Sequence, residues 1–375
     1  MFHITRTDDS GARAGILSTR HGDIPTPAFM PVATRATVRT MDSRDLSETE
    51  AVMAISNAFL LHLRPGNQVL KDAGGIQKFM NWNGALFTDS GGFQVIRQGF
   101  LKKLTDKGLT LRSPYDGKMI NVTPEDVVQW MKAQKPDVGM LLDDLPPFGA
   151  SDERNITSVK RTIDWAKRAK VEYERLELEK EGISIFPILQ GGVDRELRKK
   201  CIEGIVELDL PGFGIGGLSI GESRENMFEM IRLTTSLVPQ EKPVYLMGVG
   251  SPVELLDSIA LGVDIFDSVF PARHARHNTV MTGKGTYTIK SSELANDLSP
   301  LEEGCNCPTC RHYTRAYLHH LMKTGEFGWM RQVSIHNLYF IQKLMKDART
   351  AIIEDRFNEF REEFKEKYLG GKETK

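Results

Sequence analysis

Eight short apolar runs punctuate this chain, and most are separated by segments with helical spacing. The runs are Ala28–Val32, Val52–Ser56, Leu86–Asp89, Val138–Leu142, Ile185–Leu189, Gly214–Gly217, Val244–Met247 and Val263–Phe266. Runs of four or five apolar residues suit strands buried on both faces. Between them, Pro124–Ala133 opens with proline at a first-turn position. Glu153–Leu178 is charged along one face, and Arg195–Leu208, Glu225–Leu237 and Pro252–Leu261 repeat apolar residues with period 3.6. Strands alternating with helices imply a parallel sheet with right-handed crossovers. Eight of them suggest closure into an α/β fold of the (β/α)8 TIM-barrel type, although an open doubly wound sheet gives a similar pattern.

Two regions break the alternation. Residues 1–25 read as a small β hairpin ahead of the barrel, with turns at Ser10–Gly11 and His21–Gly22. Residues 90–123 form a long insertion with a β-like segment at Leu109–Val122. After the eighth run come a cysteine cluster and two helical segments. The last, Thr350–Tyr368, aligns Phe357, Phe360, Phe364 and Tyr368 as a stripe for docking on the core. The expected division is a catalytic barrel with its N-terminal extension over 1–299 and a metal-binding helical subdomain over 300–375.

The polar residues fall at the C-terminal ends of the strands. Thr88-Asp89-Ser90-Gly91-Gly92-Phe93-Gln94 follows the third run, Asp143-Asp144-Leu145 the fourth and Gln190-Gly191-Gly192 the fifth. Gly216-Gly217-Leu218-Ser219-Ile220-Gly221-Glu222 follows the sixth, Met247-Gly248-Val249-Gly250 the seventh, and Asp267 the eighth. In a closed barrel these ends converge on one mouth, where active sites lie. A single strand-end aspartate serves as a helix cap or turn residue as readily as a catalyst. Three acids, a glutamine and three glycine-rich corners in strand order form a constellation. Without a histidine, it suits nucleophilic or acid–base chemistry at a sugar carbon. It does not suit a Ser-His-Asp hydrolase.

Three of the four cysteines occur within six residues, as Cys305-x-Cys307-x-x-Cys310, and His336 follows after 25 intervening residues. Three thiolates and an imidazole complete a tetrahedral zinc site with no open position, hence a structural one with one Zn2+ per chain. Free thiols or a redox pair are the alternatives, and His336, expected at a helix start, could instead be a packed side chain. Cys201 stands apart on a helical pattern, as a small buried hydrophobe would. The formal net charge is -1, so any nucleic-acid contact must come from a local patch. Arg273, His274, Arg276 and His277 follow Asp267, and Arg311, His312, Arg315, His319, His320 and Lys323 follow the cysteines. These runs are either a phosphate-binding surface or simply a solvated face. With no apolar N-terminal run and no stretch near the ~20 apolar residues of a membrane span, a cytoplasmic protein without membrane contact is expected.

Taken in order from Thr26-Pro27-Ala28-Phe29-Met30-Pro31-Val32 to the helix after His336, these motifs resemble the tRNA-guanine transglycosylase family, also called queuine tRNA-ribosyltransferase, in its bacterial form. The resemblance implies a pentosyltransferase. It exchanges guanine at the wobble position of tRNAs with G-U-N anticodons for a free 7-deazaguanine base, in queuosine biosynthesis. It implies a covalent aspartyl-ribose intermediate and a homodimer built partly through the zinc region. By the same resemblance Asp267 is the nucleophile and Asp89 the general acid/base. Asp143 reads the ring N–H and amino group of guanine, while Gln190 and the backbone N–H of Gly217 donate to its carbonyl. Ser90, Phe93, Leu218 and Met247 contact the base, and Asn57 positions the nucleophile and ribose. Arg273 and Arg276 hold the anticodon loop, and Cys305, Cys307, Cys310 and His336 bind zinc.

The sequence departs from the common bacterial pattern at Asp143-Asp144-Leu145, at Ile220 and at Leu60, all expected around the pocket. A bulky Ile220 argues against the cyclopentenediol group of queuine and for 7-aminomethyl-7-deazaguanine. The rival readings are a queuine-salvaging enzyme of the same mechanism, a non-catalytic RNA-binding subunit and a glycosidase of small nucleosides. Asp89 and Asp267 speak against the second. The cysteine cluster and basic runs would have no purpose in the third.

Overall fold

In the computed structural model, which describes residues 1–91 and 99–370, all eight apolar runs form parallel strands. They are Ala28–Pro31, Met53–Asn57, Ala85–Asp89, Val138–Met140, Ser184–Phe186 continued by Ile188–Leu189, Phe213–Ile215, Val244–Leu246 and Ile265–Ser268. We number these barrel strands one to eight. Pro187 interrupts strand five, whose first half pairs with strand four and second half with strand six. A proline cannot donate to a ladder, so the pairing changes sides there. Strand eight pairs with strand one from Ile265↔Ala28 to Ser268↔Pro31. A parallel bridge, Val32↔Ile55, joins one to two. The sheet is therefore a closed barrel rather than an open doubly wound sheet.

The inward face of the strands explains the placement of the site. Ala28, Met30, Met53, Ile55, Ala85, Phe87, Val138, Met140, Phe186, Ile188, Tyr245 and Ile265 fill the barrel as one apolar cluster. Side chains alternate along a strand, so two residues onward the same face continues toward the mouth. Phe87 is followed by Asp89, Ile188 by Gln190, and Ile265 by Asp267. The polar constellation is thus the top layer of the barrel's own packing.

The opposite end is plugged by a three-stranded antiparallel sheet, Phe2–Thr7, Arg13–Thr19 and Gly22–Thr26, rather than the expected hairpin. Both predicted turns are present, and two turns in a meander make three strands. Leu17 and Ile24 enter the barrel cluster from this sheet, and Arg13 forms a buried ion pair with Asp264 just ahead of strand eight. The insertion after strand three likewise forms three antiparallel strands, Leu101–Thr105, Gly108–Arg112 and Met119–Val122.

Two C-terminal expectations change. His336 lies in the middle of a 26-residue helix, Gly328–Ile353, not at a helix start. The helix begins after Phe327 with no side-chain cap to announce it. The expected helix over Thr350–Tyr368 is broken at Asp355, whose φ is 59°, and a second helix runs from Phe357 to Gly370. Its aromatic stripe docks as expected: Phe357 is buried, and Phe364 stacks on Tyr368 with ring centroids 5.3 Å apart. The long helix packs into the main core through Ile335, Leu338, Ile341 and Leu344, and Gln342 donates to the carbonyl of Phe29 in strand one (3.1 Å). A smaller cluster of Ala275, Val280, Ile289, Leu294, Leu301, Leu318, Trp329 and Val333 draws on both sides of residue 299.

Candidate active site

The mouth opens into a cavity of about 580 Å³. Its walls include Asp89, Ser90, Asp143, Gln190, Gly217, Leu218, Met247, Asp267 and Arg273, so nine of the expected site residues share one cavity. Asn57 and Arg276 are not in its wall. Phe93 lies outside the described residues. Leu145 and Ile220 line the cavity as expected, but Leu60 does not. It is buried in the main core on the short helix Ala58–Leu61.

Strand two explains Asn57 and Leu60 together. Asn57 is fully buried and caps that helix, its Oδ1 accepting from the Leu60 N–H at 2.8 Å. Its register partner on strand three is Asp89. Gly91, with φ of 82°, passes so close that a Cβ there would lie 2.9 Å from the Asn57 Oδ1 and 2.6 Å from the Phe59 Cβ. Asn57 therefore supports the backbone that follows Asp89, from beneath the cavity rather than within it.

On strand eight, Asp267 Oδ1 accepts two hydrogen bonds, from the Tyr245 hydroxyl (2.6 Å) and the Gly248 N–H (2.8 Å). Among the described residues no hydrogen bond is made to Oδ2. One oxygen is thus fixed and the other is available to the cavity. Burial pushes the Asp267 pKa up, and the Tyr245 and Gly248 bonds oppose that rise. Tyr245 was missed by sequence reasoning. Its phenol is buried in the barrel, where a hydroxyl needs a partner. Burial first, then the nearby Asp267 and Asp89 carboxylates, hold it neutral. The signal was available: Tyr245 is the tyrosine in the otherwise aliphatic run Val244-Tyr245-Leu246.

Across the cavity, Asp143 and Gln190 form a second pair, the Gln190 Nε2 donating to Asp143 Oδ2 at 2.6 Å. Burial raises the Asp143 pKa to about 6, against the Gln190 bond. Asp143 is thus mostly ionised at neutral pH and can accept from paired N–H groups of a planar ligand. Gln190 retains a second N–H, and its buried Oε1 has no partner among the described residues. Gly217, at φ of 71°, is required by this amide, because a Cβ on it would sit 2.5 Å from the Gln190 Oε1.

Arg198 holds this half of the site from behind. It is fully buried and donates to the carbonyls of Gly192 (2.7 Å), Gly216 (3.1 Å) and Leu189 (3.4 Å). Its bonds tie the ends of strands five and six together beside Gln190 and Gly217. Cys201, one turn further along the same helix, is buried and accepts the Gln190 backbone N–H at 3.2 Å. The neighbouring Asp144 faces away from the ligand space as a buried anchor paired with Arg154 and Arg161. Glu222 folds the sixth corner, its carboxylate accepting from the N–H groups of Ser219, Ile220 (3.0 Å) and Gly221 (3.1 Å), which sets Ile220 against the cavity.

Cys305, Cys307, Cys310 and His336 converge, their ligand atoms all within 4.8 Å of one another. The His336 Nδ1 lies 3.8, 3.5 and 3.4 Å from the three sulfurs in turn. A tetrahedral metal with bonds of about 2.3 Å to sulfur and about 2.0 Å to nitrogen separates S and N by roughly 3.5 Å, so the set fits one metal ion. The Nε2 is 2.8 Å from the Met281 carbonyl, which fixes the tautomer that leaves Nδ1 free to ligate. Cys201 lies outside this set. Among the described residues no helix is long and apolar enough to cross a membrane.

The sequence has close counterparts. The family model for queuine tRNA-ribosyltransferase matches residues 8–370. A queuine tRNA-ribosyltransferase of Pelotomaculum thermopropionicum is 44% identical over 370 residues, spanning 98% of this chain and 99% of that one. Those of Thermoanaerobacter pseudethanolicus and Staphylococcus aureus are each 45% identical, over 97% and 98% of this chain and 96% of their own lengths. The chain therefore belongs to the queuine tRNA-ribosyltransferase family of tRNA-guanine transglycosylases.

Proposed function

We propose that this enzyme exchanges the wobble guanine of tRNAs with G-U-N anticodons for 7-aminomethyl-7-deazaguanine, in queuosine biosynthesis, through an ester between Asp267 and the ribose. The observation that carries the reading is the pairing at Asp267. One carboxylate oxygen is held by Tyr245 and Gly248, while the other is left to the cavity that also contains Asp89, Asp143 and Gln190.

The chemistry then balances in two displacements. The flipped guanosine enters the slot with its base between Asp143, Gln190 and the Gly217 N–H. Oδ2 of Asp267 attacks C1′ as the bond to the guanine ring nitrogen breaks, and Asp89 donates the proton that the departing base takes up. Guanine leaves, and the 7-deazaguanine gives its ring N–H proton to the Asp89 carboxylate. The freed nitrogen attacks C1′ and expels Asp267 as a carboxylate. Two inversions retain configuration, as for a retaining glycosidase. Ser90, Leu218 and Met247 pack the base, Asn57 keeps the Asp89 corner in place, and Arg273 and Arg276 hold phosphates beside the target. For Phe93, which lies outside the described residues, a base-contact role rests on the family resemblance alone.

Zinc at Cys305, Cys307, Cys310 and His336 has a structural part, since four protein ligands leave no open position. It braces residues 300–375 as a subdomain docked on the barrel of 1–299. The working unit is a cytoplasmic homodimer. Ile220 at the cavity wall supports the small aminomethyl base over queuine. The test is release of radiolabelled guanine from tRNA on adding the aminomethyl base, its nitrile precursor or queuine. Exchange with the aminomethyl base is expected; exchange with queuine alone would make this a salvage enzyme.

A further inference from the structure

The mouth carries more positive charge than the two arginines beside Asp267. Around the barrel, strands two, one and eight are neighbours. The loops leaving their C-terminal ends carry Arg64, then Arg35 and Arg39, then Arg273 and Arg276. All are exposed except the half-buried Arg276. Burial lowers the Arg276 pKa, and the neighbouring Arg39 and Arg273 add to the fall, so the loops after strands one and eight bring their guanidinium groups together. At the other end of the arc, Arg64 lies 4.4 Å and Arg35 5.7 Å from the ring centroid of Tyr115. Tyr115 is half-buried in the insertion after strand three, so its ring orders two guanidinium groups from different loops.

Ion pairs are common elsewhere on this surface, yet among the described residues none of these five arginines pairs with a carboxylate. In a chain of net charge -1, five uncompensated guanidinium groups on one arc are a concentrated electrostatic feature. Like charges held on one ring repel, and a bidentate anion relieves the repulsion. Guanidinium geometry matches phosphate oxygens.

We infer that this arc is a track for the phosphodiester backbone of the RNA substrate, running from Arg273 and Arg276 beside Asp267, past Arg39, to a phosphate clamp formed by Arg35 and Arg64 on Tyr115. It rests on the tRNA reading given above. The clamp holds nucleotides displaced from the reacting one, so it contributes to RNA affinity and not to recognition of the free base.

The test uses Arg35→Gln, Arg64→Gln and the double variant, with Tyr115→Leu and Tyr115→Phe. The KM for tRNA, the KM for the free base and the salt dependence of tRNA binding by filter retention are measured. Each arginine variant should raise the tRNA KM several-fold and reduce the slope of log affinity against log salt by about 0.7, the value for one contact to single-stranded RNA. The free-base KM, which a general disturbance of the mouth would move, should hold. Tyr115→Leu should behave like the arginine variants and Tyr115→Phe like wild type. Unaltered tRNA affinity and salt slope in the double variant would overturn the clamp. Failure of the wild type to release guanine from tRNA would count against the function instead, and filter retention would still decide the clamp.

Discussion

Tyr245 and Asp267, on adjacent barrel strands, share a 2.6 Å hydrogen bond in which the phenol donates to the carboxylate oxygen that also accepts from Gly248. The bond favours the ionised form of an aspartate whose pKa burial pushes up. Tyr245→Phe removes it with little change of shape. The Asp267 pKa should then rise, and the acidic limb of adduct formation should move to higher pH. A hydrogen bond to a charged group is worth roughly 1.5–3 kcal/mol, so adduct formation at neutral pH should slow by about 10- to 100-fold. Single-turnover rates against pH read this directly. A uniform loss with an unmoved limb would reduce Tyr245 to a packing role.

Asp143 should trade stability for recognition. Burial raises its pKa from the usual carboxylate range to about 6. The folded state therefore keeps a proton between roughly pH 4 and 6 that the unfolded chain releases. That contribution is fully present below pH 4 and lost as pH rises through 6, leaving a buried charge that costs about 3 kcal/mol at neutral pH. Asp143→Asn should melt higher than wild type at pH 8, with the advantage gone near pH 4. It also presents a donor to a donor, so free-base affinity should fall far more than tRNA affinity. Equal losses of both affinities would argue for a structural Asp143.

The metal prediction separates four cysteines into three and one. Wild type should contain one zinc per chain by elemental analysis, and Cys305→Ala should lose it together with thermal stability, by roughly 2–4 °C for each kcal/mol lost. Cys201→Ala should retain full zinc, because Cys201 lies buried beside Gln190, outside the cluster. A folded, zinc-free wild-type protein would refute the assignment.

Arg198 offers a test of how the base slot is built. Its three carbonyl partners lie at the ends of strands five and six. Arg198→Lys keeps the charge but cannot reach all three, and each lost bond to a charged donor is worth roughly 1.5–3 kcal/mol. Free-base KM should rise by about 10-fold or more, with a smaller change in tRNA KM. A lowered melting temperature with unmoved KM values would assign Arg198 to stability alone.

Barrel and site differ in how openly the sequence displays them. The eight strands were legible because each is buried on both faces and stands out as an apolar run. The acids were legible because acids, an amide and glycines recur at successive strand ends, which isolated caps or turns would not produce. Tyr245 stood out as a phenol in an aliphatic run, but its role was not legible, since an inward tyrosine looks like core until its hydroxyl partner is known. Arg198 reads as an ordinary helix residue; only the fold reveals that its helix faces the glycine corners. Asn57 was expected at the site by resemblance, but it lies outside the cavity wall, against the close passage of Gly91. The position of His336 was misjudged because the helix around it starts without a capping residue. The break at Asp355 was missed because its left-handed backbone has no glycine to mark it.

Adduct mapping separates the two carboxylates that compete for the role of nucleophile. Asp267 and Asp89 end strands eight and three, and both line the cavity. Asp267 is favoured because Tyr245 and Gly248 both donate to one of its oxygens, which leaves Oδ2 to the cavity on an anchored carboxylate, and because Arg273, six residues later, lines the same cavity. If Asp267 attacks, Asp267→Asn removes the anion and no adduct forms. Asp89→Asn then still binds tRNA but cannot pass the proton that releases or accepts a base. Its exchange rate should fall by at least about 100-fold, the usual scale of a lost general acid. Incubation with tRNA and a non-exchanging base analogue, a denaturing gel and peptide mapping locate the bond. An adduct mapped to Asp89, or one undiminished in Asp267→Asn, would reverse the two roles.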